Sequence, residues 1–462
     1  MLWPNYLEVG LSMIFRVLLV LVLLAPLPLA SVHTWAWGLI ASITALLVIA
    51  WGIGRLWSRD APAVGLQPAW PFLIPFLLVV GWISLQATSM TPAAWHHPLW
   101  EDATGPLGTV VAGSISLDPF ETGSALARLL AYAGIFWLSL QYCRSAERAR
   151  QVFLALTLVG LAYAAYGLAV EFTGGDMALW YYRGAYPGRL GSTFINANSY
   201  ATYAGLGLVC ATGLLVALIF DAARSHLSSK ERLRAVLEAI AGWRSLLPVA
   251  WVVIATALLL TGSRGGLAST TLGLVALLAA FGATPTARFR HVAVLASAVA
   301  IAGVALFVYS GDRTAERMAE FELENEQRFA VYELTLEAIG DAPWLGTGYG
   351  TFEDTFRMYR DERITGVNDK AHNTYLENAL ELGLPAAGLL FLSIAALFGR
   401  CLMGVRVRRR NAIYPCIGVG ATVLIAAHAT VDFSLQNPAV AATYALLMGA
   451  AVAQSWRSAE QL

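Results

Sequence analysis

Uncharged apolar runs about twenty residues long recur along this chain, and they limit what it can fold into. A helix rises about 1.5 Å per residue, so roughly twenty apolar residues cross the hydrocarbon core of a bilayer. A soluble domain carries about 25% charged residues. Here 13% are charged and 58% hydrophobic, and the mean hydropathy is +0.62. In lipid every backbone amide must find a partner inside the protein, which favours helices. The expectation is an all-α polytopic membrane protein with about twelve transmembrane helices. Hydropathy places them at 11–29, 35–56, 70–85, 125–142, 152–170, 200–220, 246–261, 267–281, 292–309, 385–403, 413–429 and 439–453. The first run lacks a basic leader, since only Arg16 precedes it, and reads as a retained span.

Basic residues set the orientation. With the N-terminus in the cytoplasm, the inner loops hold Arg55 and Arg59, the group Arg144, Arg148 and Arg150, the stretch from Arg224 to Arg244, Arg288 and Arg290, and Arg400 to Arg410. The short outer loops hold only Arg183, Arg189 and Arg264, with Arg128 near a boundary. Both termini are then cytoplasmic. Residues 221–244 read as a basic amphipathic helix on the anionic inner leaflet, so membrane lipids are a partner. The net charge is zero, which points to no nucleic acid. Cys143, Cys210, Cys401 and Cys416 lie in no outer loop, so no disulfide is expected.

One long polar interval breaks this pattern. The division is a membrane domain over 1–309, a partly helical outer loop domain over 310–384, and a membrane domain with a cytoplasmic tail over 385–462. The loop opens with an acidic stretch from Asp312 to Glu326, read as a solvated face. Phe329, Tyr332, Leu336 and Ile339 then recur at helical spacing and predict a helix packed on the membrane domain. Gly346, Gly348 and Gly350 resemble a nucleotide loop only superficially. No strand precedes them, and a tight turn is expected. Thr374 and Glu377 form a capping-box pattern, and Gly383 with Pro385 ends the helix they start. His372 and Asn373 stand just before that N-terminus, where the helix dipole favours a neutral imidazole able to accept a proton. The competing reading is a histidine that only caps or packs.

Two outer arginines carry the next signal. A charge near the bilayer costs roughly 2.5–3.5 kcal/mol even on lenient insertion scales. Arg264 nevertheless sits in the tight turn Gly262-Ser263-Arg264-Gly265-Gly266, between apolar spans. Glycine amides there would form an anion nest, and guanidinium adds a planar fork that grips phosphate. Arg189 repeats the pattern with Gly188, Gly191 and Ser192, followed by Asn196 and Asn198. Two such arginines suit one diphosphate; the alternative is snorkelling to lipid headgroups. His428 and Asp432, four apart, share a helix face; Asp432 would orient a histidine or an acceptor hydroxyl, and the competing reading is a structural hydrogen-bonded pair. His96 and His97 lack a third ligand at metal spacing and read as interfacial.

These segments resemble the O-antigen ligases and related bacterial polysaccharide polymerases. The resemblance rests on Gly188 to Asn198, on Ser263-Arg264-Gly265, and on the run from Pro343 through Gly350 to Ala371-His372-Asn373, Glu381 and Gly383. It implies a GT-C-like bundle of about twelve spans, with a periplasmic loop between spans nine and ten, in the bacterial inner membrane. It implies an undecaprenyl-diphosphate-linked glycan donor and an acceptor that is either lipid A–core or a growing glycan. Arg189 and Arg264 would hold the diphosphate and His372 would be the catalytic base, with inversion and with no metal, ATP or other cofactor. Ser263, Gly265, Asn196, Asn198, Asn373, His428 and Asp432 would support them. Ligase and repeat-unit polymerase both fit. A glycan transporter is the reading from another class, but transporters place their charges near the midplane, whereas these lie at one face. A scaffold of an export complex would need none of these side chains.

Overall fold

The computed structural model describes residues 3–58, 61–109, 111–175, 177–182, 189–223, 238, 245–285, 289–309, 315–364 and 369–457. The side chains of 3–12, 221–223, 289–291, 293, 309 and 315–326 are outside the description. Gly188 and nearly all of the expected amphipathic segment 221–244 lie outside the described residues. The helices are α1 (Trp3–Leu24), α2 (Thr34–Ser58), α3 (Leu66–Gln86), α4 (Leu99–Leu107), α5 (Pro119–Tyr142), α6 (Ala146–Phe172), α7 (Ala197–Ala223), α8 (Leu246–Leu260), α9 (Arg264–Gly282) and α10 (Phe289–Tyr309). A short hairpin, β1 (Met177–Ala178) and β2 (Tyr181–Tyr182), follows α6. The polar interval holds α11 (Ala315–Asp341), α12 (Phe352–Tyr359) and α13 (Thr374–Leu382). Then come α14 (Leu384–Val407), α15 (Ile413–His428) and α16 (Pro438–Ala453).

Seven helices, α2, α3, α5, α6, α7, α9 and α14, are long and apolar enough to cross a membrane. Shorter apolar helices accompany them: Met13–Leu24 within α1, α8, Val294–Val308 within α10, α15 and α16. Every expected span coincides with one of these. The chain is helical and fits a multi-pass membrane protein.

The centre of the bundle is α16, whose residues Pro438 to Ala453 are all buried. It is apolar all round, and such a helix belongs inside a bundle. Against it lies α5, whose Ser139 Oγ donates to the Leu446 carbonyl at 2.7 Å. Beside it α9 and α15 make the most extensive helix pair, through facing glycines. A Cβ on Gly273 would lie 2.7 Å from the Gly420 carbonyl oxygen, and one on Gly420 equally close to that of Gly273. Only glycine allows so close a crossing. At the other end of the bundle, Arg144, Arg400 and Arg408 donate to the carbonyls of Ala453, Ser455 and Trp456 at 2.6, 2.5 and 3.0 Å. They satisfy the carbonyls that a helix C-terminus leaves unpaired. Cys143, Cys210, Cys401 and Cys416 are all buried free thiols.

The polar interval has a small core of its own. Val331, Leu334 and Ala338 of α11 meet Phe352 and Phe356 of α12, with Ala371 and Leu380. This corrects the expected face of α11. Phe329 and Leu336 are exposed, at 69% and 55%, while Ile339 is buried. The helix packs mainly on α12 and α13 rather than on the membrane helices. Residues at i, i+3, i+4 and i+7 fit more than one stripe, and the smaller side chains Ala330, Thr335 and Ala338 mark the true one.

The glycine turn joins this interval to the bundle. Gly346, Gly348 and Gly350 have φ of 68°, 109° and 90°. The Thr347 and Gly348 amides donate to the Leu380 and Glu381 carbonyls at 3.1 and 3.0 Å, and the Leu117 amide donates to the Thr347 carbonyl at 2.9 Å. Gln86 Nε2, at the end of α3, donates to the Leu345 and Glu381 carbonyls, both at 2.8 Å. These turn amides are bound to protein carbonyls, as a clasp rather than a phosphate loop requires. A Cβ on Gly346 would fall 2.3 Å from the Glu381 carbonyl oxygen. Gly346→Ala is expected to cost about 1–2 kcal/mol in backbone strain alone, and more from that clash. Thermal unfolding of the solubilised variant should show a lower midpoint; an unchanged midpoint would refute the clasp.

Candidate active site

The sequence-predicted segments meet where α7, α9 and α13 begin and α15 ends. Ser263 is the N-cap of α9, its Oγ accepting the Gly266 amide at 3.1 Å. Arg264 is the first helical residue, with its guanidinium 5.7 Å from the centre of the Phe307 ring on α10. The expected glycine nest is therefore a helix N-terminus instead. Of the three glycines only Gly262 has positive φ, at 66°. Gly266 packs on Ala201, and a Cβ on Gly265 would lie 3.3 Å from His428 Nε2 and 3.0 Å from Val431. A helix N-terminus still favours an anion, through its dipole and first-turn amides.

Arg189 is exposed and lies beside this turn. The Leu190 amide donates to the Leu260 carbonyl at 3.1 Å, and Arg189 Cγ stands 3.9 Å from the Cβ position of Gly262. Ser192 is committed to structure, its Oγ donating to the Tyr163 carbonyl at 2.7 Å. Asn196 starts α7, its Oδ1 accepting the Asn198 amide at 2.7 Å. One turn on, Thr202 Oγ1 lies 2.7 Å from His428 Nδ1 and 2.9 Å from Ser434 Oγ. Ser434 Oγ is in turn 3.0 Å from that nitrogen. His428 thus joins α7 to α15 and turns its other nitrogen toward Gly265.

The shared helix face expected for His428 and Asp432 is not formed. Helix α15 ends at His428, and Asp432 lies beyond it in a turn whose amide donates to the His428 carbonyl at 3.0 Å. This turn aims Asp432 at His372. Asp432 Oδ1 is 3.5 Å from His372 Nδ1, with the carboxylate 1% and the imidazole 27% exposed. That distance is long for a hydrogen bond, and catalytic contacts often tighten only with substrate. Burial opposes ionisation of Asp432. The His372 imidazole, the charge of His428 and the Phe433 amide outweigh it and hold the carboxyl below its ordinary range. The Phe433 ring meets the His372 ring edge to face at 5.0 Å.

The cap of α13 also differs from expectation. Asn373, not Thr374, is the N-cap, its Oδ1 accepting the Tyr375 and Leu376 amides at 3.0 and 3.2 Å. Thr374 Oγ1 instead donates to the Asp432 carbonyl at 3.0 Å. Glu377, shifted one place along the helix by that change, reaches back past His372 to the Ala371 amide at 3.1 Å. Pro385 starts α14 rather than ending α13. Sequence reasoning missed Thr202, Ser434 and Phe433, since nothing in their spacing sets them apart. Tyr332 was read as packing, yet its hydroxyl donates to the His372 carbonyl at 2.9 Å. His96 and His97 bond separately, Nε2 to the Thr91 carbonyl at 2.9 Å and Nδ1 to the Leu99 amide at 3.3 Å. No cluster of metal-ligating side chains occurs among the described residues.

Residues 249–392 match the O-antigen ligase family. The matched segment runs from α8 into α14 and contains Ser263, Arg264, Gly265, His372 and Asn373. Arg189, Asn196, Asn198, His428 and Asp432 lie outside it, and the fold brings them to the same place. No match is found among curated proteins.

The matched segment also holds the buried acid Glu381. Burial, and then the charge of Glu377, push the Glu381 carboxyl up to about 8, against the pull of Lys370 and of the Gly350 and Phe352 amides. A carboxyl raised above its ordinary 4.5 makes the folded state bind the proton that the unfolded state has lost. Its contribution therefore falls as pH rises from about 4.5 to about 8 and is flat above. Glu381→Gln keeps the acceptor for the Phe352 amide at 3.0 Å and removes that fall. The variant should match wild type in midpoint near pH 4.5 and exceed it by a growing margin up to pH 8. Parallel curves across that range would refute the assignment.

Proposed function

We propose that this protein is a membrane glycosyltransferase of the O-antigen ligase type. It moves a glycan from a polyprenyl diphosphate, of the undecaprenyl kind, to a sugar hydroxyl of lipid A–core on the outer face of the bacterial inner membrane. The observation that carries the reading is the convergence of the Arg189 and Arg264 segments with the Asp432-facing His372. Phosphate-binding and proton-accepting chemistry thus share one end of the bundle. The family match supports glycan transfer of the ligase or polymerase type. In this proposal the chain crosses the membrane about twelve times, with both termini cytoplasmic and residues 310–384 outside as a loop domain.

The acceptor hydroxyl oxygen attacks the anomeric carbon and its proton passes to His372. Asp432, holding Nδ1–H, fixes the tautomer in which Nε2 has the lone pair. The bond from the anomeric carbon to the diphosphate oxygen breaks, and the leaving group departs with the electron pair. Arg189, Arg264 and the N-terminus of α9 hold the negative charge that develops there. Direct displacement inverts the anomeric centre, and the diphosphate ester is already activated, so no nucleotide is consumed. Ser263 and Gly265 shape the arginine turn, Asn196, Asn198 and His428 brace it, and Asn373 presents His372.

The test is transfer in vitro from a polyprenyl diphosphate glycan, with donor binding measured in parallel. Arg189→Lys and Arg264→Lys should each lose most activity and weaken donor binding, because lysine lacks the bidentate fork. Two lysine variants that turn over normally would refute the diphosphate clamp. His372→Asn should lower the rate by about 10²–10⁴-fold while donor binding survives. A merely capping His372 would tolerate asparagine, a better cap, so near-normal turnover would refute the base.

A further inference from the structure

His372 occupies an awkward piece of backbone. Its φ is 52°, in the left-handed region, a strained conformation that a non-glycine residue keeps only where its surroundings enforce it. The imidazole itself is partly open. The enforcement is therefore on the main chain, and most of it is side chain to backbone. Tyr332 holds the His372 carbonyl and Asn373 caps the helix that follows. On the preceding side the single restraint among the described residues is Glu377, whose Oε2 accepts the amide of the fully buried Ala371. Its other oxygen lies 3.4 Å from Lys370 Nζ.

We propose that Glu377 is a positioning residue of the transfer reaction, fixing the chain before His372 through the Ala371 amide. The inference rests on the proposed role of His372 and deepens it. The acceptor oxygen does the holding, and the charge is secondary. Lys370 balances that charge, and Tyr349, Glu381 and Asp369 are the other titratable groups facing the pair. Burial opposes the Lys370 ammonium, but its acidic neighbours, Glu377 first and then Glu381 and Asp369, outweigh burial and raise it above its ordinary value.

Two conservative variants separate geometry from charge. Glu377→Gln keeps an acceptor oxygen at the same reach and drops the charge. Glu377→Asp keeps the charge and shortens the arm by about 1.5 Å, beyond hydrogen-bond range of Ala371. In the full-length protein, kcat should stay within about threefold of wild type for Gln and fall about 10–100-fold for Asp. The donor KM should stay within about twofold in both, since the arginines hold the donor. Hydrogen exchange of the peptide spanning 369–376 should follow the same order, fast in Asp and near wild type in Gln. A fully active Asp variant, a Gln variant as impaired as Asp, or a donor KM that rises with the loss would each overturn the proposal. If wild type transfers no glycan, the functional reading fails, and exchange alone decides here: unchanged exchange in Asp overturns the positioning role.

Discussion

Two hydrogen bonds hold the polar interval to the membrane helices at the site. The Thr374 amide donates to the Ala429 carbonyl at 2.9 Å, and Thr374 Oγ1 to the Asp432 carbonyl at 3.0 Å. The Tyr375 hydroxyl adds a third, to the Ala426 carbonyl at 2.9 Å. A helix start has unpaired amides and a helix end unpaired carbonyls. Here the first turn of α13 and the last turn of α15 meet, and each supplies what the other lacks. Asp432 is turned toward His372 by that same junction, so the placing of the two side chains is one event.

The opposite side of α13 is secured differently. There the glycine turn, Gln86 and Glu381 form a buried polar knot in which most main-chain groups have protein partners. Burying polar groups costs free energy unless they are paired, and a partly paired network would be worse than an apolar one. Within the knot the buried Gln86 Oε1 has no hydrogen-bond partner among the described residues, and the Glu381 carboxyl keeps its proton near neutrality. Its neighbour Glu377 stays tied to Lys370 and Ala371. Helix α13 is thus clamped at both ends, with His372 just outside the clamp.

Much of this was legible in the sequence, and the rest has identifiable reasons. Apolar run length located the seven helices long enough to cross a membrane and the shorter apolar helices beside them, because lipid favours one secondary structure. Ser263, His372 and the glycine turn declared themselves through residue types with few other uses at those spacings. The cap of α13 was misread by one residue, since Asn373 and Thr374 are both good caps and only the docking on α15 chooses between them. The buried face of α11 was misread because large side chains were given more weight than small ones. Thr202, Ser434 and the approach of Asp432 to His372 join residues far apart in the chain, which no local pattern encodes.

The order of the pieces along the chain has a consequence for biogenesis. The arginine turn lies at the start of α9, whereas its neighbour His428 and the acid facing His372 come only with the end of α15 and the turn that follows. Chains emerge from the ribosome N-terminus first, so both arginine segments are made before His428 and Asp432 exist. Until the final helical pair is inserted, α13 has nothing to dock on, and Asp432 has not been made. The approach of Asp432 to His372 can therefore form only late in synthesis, once the turn after α15 exists.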